Sequence, residues 1–388
     1  MVKLGEIFTI SRGGSPRPIQ DYITDSCHGV NWIMIGDTEP NSKYIRHTAK
    51  KIKFEGVKKS RKVYPGDLLL TNSMSFGRPY ILDVEGCIHD GWLVLSPKNN
   101  QIHIDYFYHY LNSPAAKIII SNKAAGAVVK NLNSDIVRNL EIPFPPFAEQ
   151  VRIASTLDKV DGIRQKRDQA IKLADDFLRA TFLAMFGDPV ENPKRWDVAS
   201  LLEYGSFKNG MNFTKGESGS VLKCLGVGNF KSLATITCMD NIGEIELNTL
   251  PSDDYLLKDG DIVFVRSNGN KALVGRCLTI YPGKEKVTFS GFCIRYRIEN
   301  TAITPEYLNF LFRTPSMKQQ MLSGGQGANI QNISQGTLSA LRIPVPPLEK
   351  QQAFSKVVSF HSALMEKLDI NTVEIEDMFD SISQQYFN

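Results

Sequence analysis

The run LEIPFPPFAEQ, Leu140 to Gln150, returns as LRIPVPPLEKQ, Leu341 to Gln351, and each copy opens a long stretch of polar-apolar, helix-forming sequence. The offset of 201 residues is close to half of the 388-residue chain. A period this long is too large for a stacked repeat, so the chain is constrained to two copies of one domain rather than an array.

The match extends upstream with small shifts. YFYHYLNSP, Tyr106 to Pro114, aligns with YLNFLFRTP, Tyr307 to Pro315, and Gly126 and Asn131 align with Gly327 and Asn332. Earlier, YPGDLLLTNS parallels KDGDIVFVRS, NWIMIGDT parallels KCLGVGNF, and ISRGG parallels FKNGM, which pairs Gly13 with Gly210. Within each copy short runs rich in Val, Ile, Leu and aromatics (WIMIG, DLLLTNS and WLVLS, then KCLGVG, DIVFVRS and FCIRYRI) alternate with Gly, Asn, Asp and Pro, the pattern of short strands. The expected class is α+β: two β-rich domains joined by two long helices, with a pseudo-twofold internal repeat.

After each proline run the texture changes. Phe147 to Phe186 has no proline and one glycine, and Leu348 to Phe387 has neither. Proline holds an extended entry and then permits a helix to start. In the second helix Val357, His361, Leu364, Leu368, Asn371, Ile375, Met378 and Ile382 step alternately by four and three, a heptad seam with two polar interruptions. The same offset places Val160, Ile163, Arg167, Ala170, Ala174 and Phe177 on the corresponding face of the first helix. At 1.5 Å per residue each would be a rod of roughly 60 Å. GDPVENPKRW, Gly187 to Trp196, leaves little chain for a return, so an antiparallel coiled coil with a domain at each end is expected. The proline runs then read as hinges between head and helix. The expected segments are a first domain at 1–146, a central helix at 147–186, a linker and second domain at 187–347, and a C-terminal helix at 348–388.

Charge is uneven. The excess of Lys and Arg over Asp and Glu is +6 for residues 1–139 and +2 for 195–340, and 348–388 carries −4. Much of the first excess lies between Lys43 and Lys62, a run that includes Lys58 and Lys59 and that could attract phosphate or be a solvated surface. Cys27, Cys87, Cys224, Cys238, Cys277 and Cys293 form no CxxC pair and read as reduced thiols in or near the core, with no metal site expected. No apolar run reaches the length of a membrane span and no signal-peptide pattern opens the chain, so a cytoplasmic location is expected.

Catalytic signatures are missing. There is no HExxH, no G-x-S-x-G and no glycine-rich cofactor loop leading into a helix, and the PFPPF and PVPPL runs lack the leading amide or carboxylate that an amino-methyltransferase uses. His89 and Asp90 in IHDGW are adjacent; on a strand they would face opposite ways, which favours a structural or recognition role over acid-base work.

What remains is a set of polar loops suited to DNA. ISRGGSPRPI presents Arg12, Ser15 and Arg17; TNSMSFGRP presents Asn72, Ser73, Met74, Ser75, Phe76 and Arg78. The second copy offers Lys208, Asn209 and Asn212, then Arg266, Ser267, Asn268, Asn270 and Lys271. A further loop before each proline run adds Lys130 and Asn131, and Gln326, Asn329, Gln331 and Asn332. Arg reads guanine, Asn and Gln read adenine, and Lys and Ser hold phosphates. The loops differ in letters while the scaffolding runs agree, as expected of two domains of one fold reading different sequences.

On the repeated LxIPxPPxxxQ before a long helix, the G-D-hydrophobic strand and the G-x(4)-N loops at Gly126–Asn131 and Gly327–Asn332, the chain resembles the specificity subunit of type I restriction-modification systems over essentially its whole length. The resemblance implies two target-recognition domains that each read half of a split site in double-stranded DNA, and helices that set the gap. It implies no catalytic residue and no cofactor in this chain. Two modification subunits with S-adenosylmethionine would dock on the helices, and restriction subunits using ATP and Mg would join them. The alternatives are a divergent DNA methyltransferase acting alone, or a two-headed protein-binding adaptor.

Overall fold

The computed structural model describes residues 1–39, 42–72, 77–125, 132–213, 218–230, 234–323 and 332–387, with backbone only at 124–125 and 369–373. The chain divides into two compact units: Met1–Ala170 with Leu368–Asn388, and Ile171–Lys367. The division falls inside both long helices rather than at the proline runs.

Each unit is built on a five-stranded sheet of the same order. In the first unit it runs Phe8–Arg12, Trp92–Pro97, Leu68–Thr71, Pro79–Leu82, Tyr44–Ile45; in the second, Gly205–Asn209, Cys293–Ile298, Asp261–Val265, Cys277–Ile280, Thr235–Ile236. All neighbours are antiparallel except the last pair, which is parallel in both. The central strand shows why LLL and IVFV are written there. Leu68 and Leu70 face a core shared with Tyr106, Phe107 and Leu111, whereas Leu69 faces one shared with Ile33, Val63 and Trp92. Ile262 and Phe264 in the second unit likewise face one core, and Val263 and Val265 the other. A strand buried on both faces needs apolar residues at every position, and each buried Leu contributes about 1.5–3 kcal/mol. One face is covered by the helices Ile104–Asn112 and Pro305–Arg313, the other by a second sheet: five strands in the first unit, three in the second.

The repeated LxIPxPPxxxQ is a fixed joint, not the hinge expected. Leu140, Ile142, Leu341 and Ile343 are core residues. The Tyr106 hydroxyl donates to Pro143 O (3.1 Å) and the Tyr307 hydroxyl to Pro344 O (2.7 Å). Gln150 is fully buried: it accepts from the His103 N–H (2.9 Å) and donates to Gln101 O (3.2 Å) and Pro145 O (2.9 Å). Gln351, equally buried, accepts from the Thr304 N–H (2.9 Å) and donates to Ala302 O (3.2 Å) and Pro346 O (2.7 Å). The glutamine four residues past the prolines thus fastens helix to sheet domain in each copy.

The long helices span Phe147–Phe186 and Leu348–Phe387. Within each unit their segments run antiparallel. In the first, Arg152 meets the Tyr386 hydroxyl (3.2 Å) and the Arg164 guanidinium lies over Phe379 (5.8 Å). In the second, Asp175 meets His361 (3.1 Å) and Phe182 meets Phe354 (5.4 Å between centroids). The seam departs from the expected one at alternate positions. Val160, Arg167, Ala174, Val357, His361, Leu368, Ile375 and Ile382 are at least partly covered, but Ile163, Ala170, Phe177, Leu364 and Met378 are exposed. The contact stripe instead takes Leu157, Arg164, Leu178, Val358, Met365 and Phe379. A three-four spacing chosen by hydrophobicity alone can start one residue off, and here polar Arg164 packs while Phe177 does not. The side chain of Asn371 lies outside the described residues.

Cys87, Cys224, Cys277 and Cys293 are buried free thiols; Cys27 and Cys238 are exposed, contrary to expectation. Lys43, at the head of the basic run, is also not a surface charge. It is buried and paired with Asp105 (2.5 Å) and Asp158 (2.6 Å), and Arg46 and Lys62 pair with Asp83 and Glu85. No described helix is long and apolar enough to cross a membrane.

Candidate nucleic-acid interface

In each unit several chain segments meet at one end of the five-stranded sheet, held by the same backbone hydrogen bonds. The glycine turn after the first strand crosses the turn at 89–91. Gly13 N–H donates to Trp92 O (2.9 Å) and Gly14 N–H to Ile88 O (3.2 Å). A Cβ on Gly13 would stand 2.0 Å from His89 O, so only glycine fits this crossing. The central strand's end joins through Asn72 N–H to Gly91 O (3.0 Å), and the segment after the 126–131 loop through Leu132 N–H to Asn72 O (3.2 Å).

The second unit repeats this. Gly210 N–H donates to Cys293 O (3.0 Å), Met211 N–H to Phe289 O (3.0 Å), Arg266 N–H to Phe292 O (2.8 Å) and Ile333 N–H to Arg266 O (3.0 Å). A Cβ on Gly210 would lie 2.0 Å from Ser290 O.

On this shared backbone the side chains differ. Asp90 organises the first unit: Ser15 Oγ donates to its carboxylate (2.8 Å), Arg17 pairs with it at 3.6 Å, and Arg12 Nε (3.0 Å) and Asn72 Nδ2 (2.7 Å) donate to its carbonyl. The Ser15 hydrogen bond holds the Asp90 carboxyl below its usual range. His89 and Asp90 lie in a tight turn, not on a strand as expected. Burial pushes the His89 imidazole below its usual value; the ring sits 6.3 Å from both Trp32 and Trp92, and its Nδ1 accepts from Gly91 N–H (2.9 Å). These contacts shape the turn. In the second unit the aligned residues are Ser290 and Gly291, and Asn212 takes the place of Ser15 and Arg266 that of Asn72.

Arg12, Ser15, Arg17 and Asn72 are therefore gathered around one turn, and Asn209, Asn212, Arg266 and Ser267 around its counterpart, where Ser267 bridges to Asn332. Arg12, Arg17, Asn209, Asn212, Arg266 and Asn332 are exposed. Asn72 is not: at 3% exposure, with its amide committed to Asp90, it braces the loop rather than reaching a base. Lys208 lies within a strand, half-buried, tied to Asp254 (3.0 Å) and over the Tyr255 ring (4.4 Å), rather than in a loop. Asn268 and Asn270 accept from the Asn270 and Ala272 N–H groups and so shape the turn that carries exposed Lys271. Lys58 and Lys59 are exposed beside the glycine turn; Lys59 Nζ donates to the Tyr22 hydroxyl (2.6 Å). Arg78 is half-buried, stacked over Tyr80 at 5.3 Å. Ser73, Met74, Ser75, Phe76, Lys130, Asn131, Gln326, Asn329 and Gln331 lie outside the described residues. Sequence reading gave Asp90 a structural or recognition role but not its place as organiser of the loop, although its alignment with Gly291 at the repeat offset marks a position where the copies diverge. Among the described residues no group of His, Cys, Asp and Glu is arranged to hold a metal ion.

The type I restriction modification DNA specificity domain matches residues 1–173 and 214–380. The chain is 25% identical over 321 residues to the StySPI specificity subunit of Salmonella potsdam, covering 76% of this chain and 67% of that one. It is 25% identical over 317 residues to the EcoKI specificity subunit of Escherichia coli, with the same coverage. To the MjaVIII specificity subunit of Methanocaldococcus jannaschii it is 23% identical over 377 residues, 92% of this chain and 84% of that one. Among solved structures, the type I restriction-modification S subunit from M. genitalium superposes with a TM-score of 0.55 at 16% identity, covering 100% of this chain and 95% of that one. A chain solved for complex assembly and conformational transition of the type I R-M system gives 0.57 at 16% identity, over 99% and 96%. The domain matches twice, once in each structural repeat, and the chain belongs to the type I restriction-modification family of DNA specificity subunits.

Proposed function

We propose that each unit reads one half of a bipartite site in double-stranded DNA with the loop end described above, and that the long helices set the gap and dock two modification subunits. The observation that carries this reading is the identical backbone crossing in both units under different exposed side chains: Arg12 and Arg17 in one, Asn209, Asn212 and Arg266 in the other. A shared scaffold with different base-facing groups is what reading two different words requires. As a specificity subunit the chain is non-catalytic; methyl transfer with S-adenosylmethionine and ATP- and Mg-dependent translocation and cleavage belong to the modification and restriction partners. The assembly would act in the cytoplasm.

The test is to map methylated bases in host DNA after expressing the chain with its modification subunit. A two-part motif with a fixed gap is expected. Methylation by the purified chain alone would support a self-sufficient methyltransferase instead, and duplex binding that falls steeply with salt would argue against a protein-binding adaptor.

A further inference from the structure

A pair of cations recurs behind the loop ends in both units. The strand after each loop is entered through a glycine in the left-handed region, Gly77 (φ 81°) and Gly275 (φ 75°). Both glycines sit on the same helix of their unit: a Cβ on Gly77 would be 3.2 Å from Ile120, and one on Gly275 would be 3.7 Å from Leu322 and 4.0 Å from Met321. Ile120 and Met321 are equivalent at the repeat offset. The next residue in each copy is an arginine, Arg78 or Arg276, and about one helical turn before the seat is a lysine, Lys117 or Lys318. In the second unit Arg276 Nε and Lys318 Nζ donate to one carbonyl, Ala272 O, at 3.3 and 3.2 Å.

Further cations face each pair. Lys117 faces Arg78 and Arg164, with Asp380 as the opposing carboxylate; Arg164 itself is held by Asp161 at 2.8 Å. Arg313 donates to Cys277 O (3.3 Å) and faces Arg276 and Arg179, with Asp175 opposing. Packing around the ammonium groups and these like charges push Lys117 and Lys318 below the usual lysine value. Crowding cations costs free energy that an anion would relieve. The loop side chains have diverged between the copies, as Arg12 against Asn209 and Ser15 against Asn212 show, but the Arg-Lys pair has not. A feature kept while the letters change fits a ligand that is the same at every sequence.

We propose that Arg78 with Lys117, and Arg276 with Lys318, are equivalent seats for backbone phosphates flanking each DNA half-site on the long-helix side of the loop end. The proposal rests on the DNA-recognition reading and adds to it residues that position the duplex without reading it. Of these four residues only Arg78 stands out in the sequence.

The test uses the full chain with Lys117→Gln, Lys318→Gln and the double substitution, all at side chains that are not core. Affinity for a duplex of mixed sequence is measured against salt, and sequence preference by selection from a randomised duplex pool. Each single variant should lower the slope of log affinity against log salt by about 1, and the double by about 2. The selected motif should stay the same, and Lys117→Arg and Lys318→Arg should restore the slope. Unchanged slopes in variants of a chain that still binds DNA would overturn the phosphate seats alone, as would a changed motif. A wild-type chain that binds no duplex would overturn both this proposal and the recognition reading.

Discussion

Asp158 illustrates how far a single residue's role depends on its partners. Burial alone would raise its pKa, but hydrogen bonds from His109 and Lys43 outweigh that and hold the carboxyl at about 2. A depressed folded value contributes stability above the ordinary value of 3.8, and that contribution is lost as pH falls through about 2. Denaturant unfolding as a function of pH should show the first unit weakening across that window. Asp158→Asn should cost about 1 kcal/mol at neutral pH, a figure reduced for the 42% exposure of the side chain, with the difference from wild type vanishing near pH 2. A difference that persists at pH 2 would mean that shape rather than charge is what the residue supplies. Nothing in the run Lys43 to Lys62 marks Lys43 as the buried partner, because Asp105 and Asp158 stand far along the chain.

At the scale of elements, the proline run and its glutamine form the joint on which each copy depends. Gln150 and Gln351 make three hydrogen bonds each with no exposure to water, so removing either leaves backbone groups of the joint unsatisfied. Gln150→Ala should destabilise the first unit by about 2–4 kcal/mol in thermal unfolding, and Gln351→Ala should do the same to the second. A loss below about 0.5 kcal/mol would place the residue in the class of ordinary surface substitutions. The motif itself was plain in the sequence, and so were the helices that follow it. Its mechanical meaning was not: a proline run reads equally as hinge or clamp until the carbonyls of Pro145 and Pro346 are seen meeting the glutamine amides.

For the whole molecule, the proposed spacer role of the long helices implies a length rule. Adding one heptad between Arg164 and Asp168, with a matching heptad in the second long helix, lengthens the spacer by about 10 Å, equivalent to about 3 base pairs of duplex. The methylated motif should keep both half-sites and gain a wider gap; altered half-site letters with an unchanged gap would sink the ruler. The duplication, the α+β class, the long helices and the glycine turns were determined by sequence alone, because each leaves a local or periodic trace. Tertiary structure decided which face of each helix packs, that Asn72 braces the loop and Lys208 is tied into a strand, and that Asp90 gathers Arg12, Ser15 and Arg17. It also decided that Gly77, the residue before Arg78, seats against Ile120, about one helical turn from Lys117. These depend on groups brought together from distant positions, and neither burial nor a hydrogen-bond partner is encoded in the residues next door.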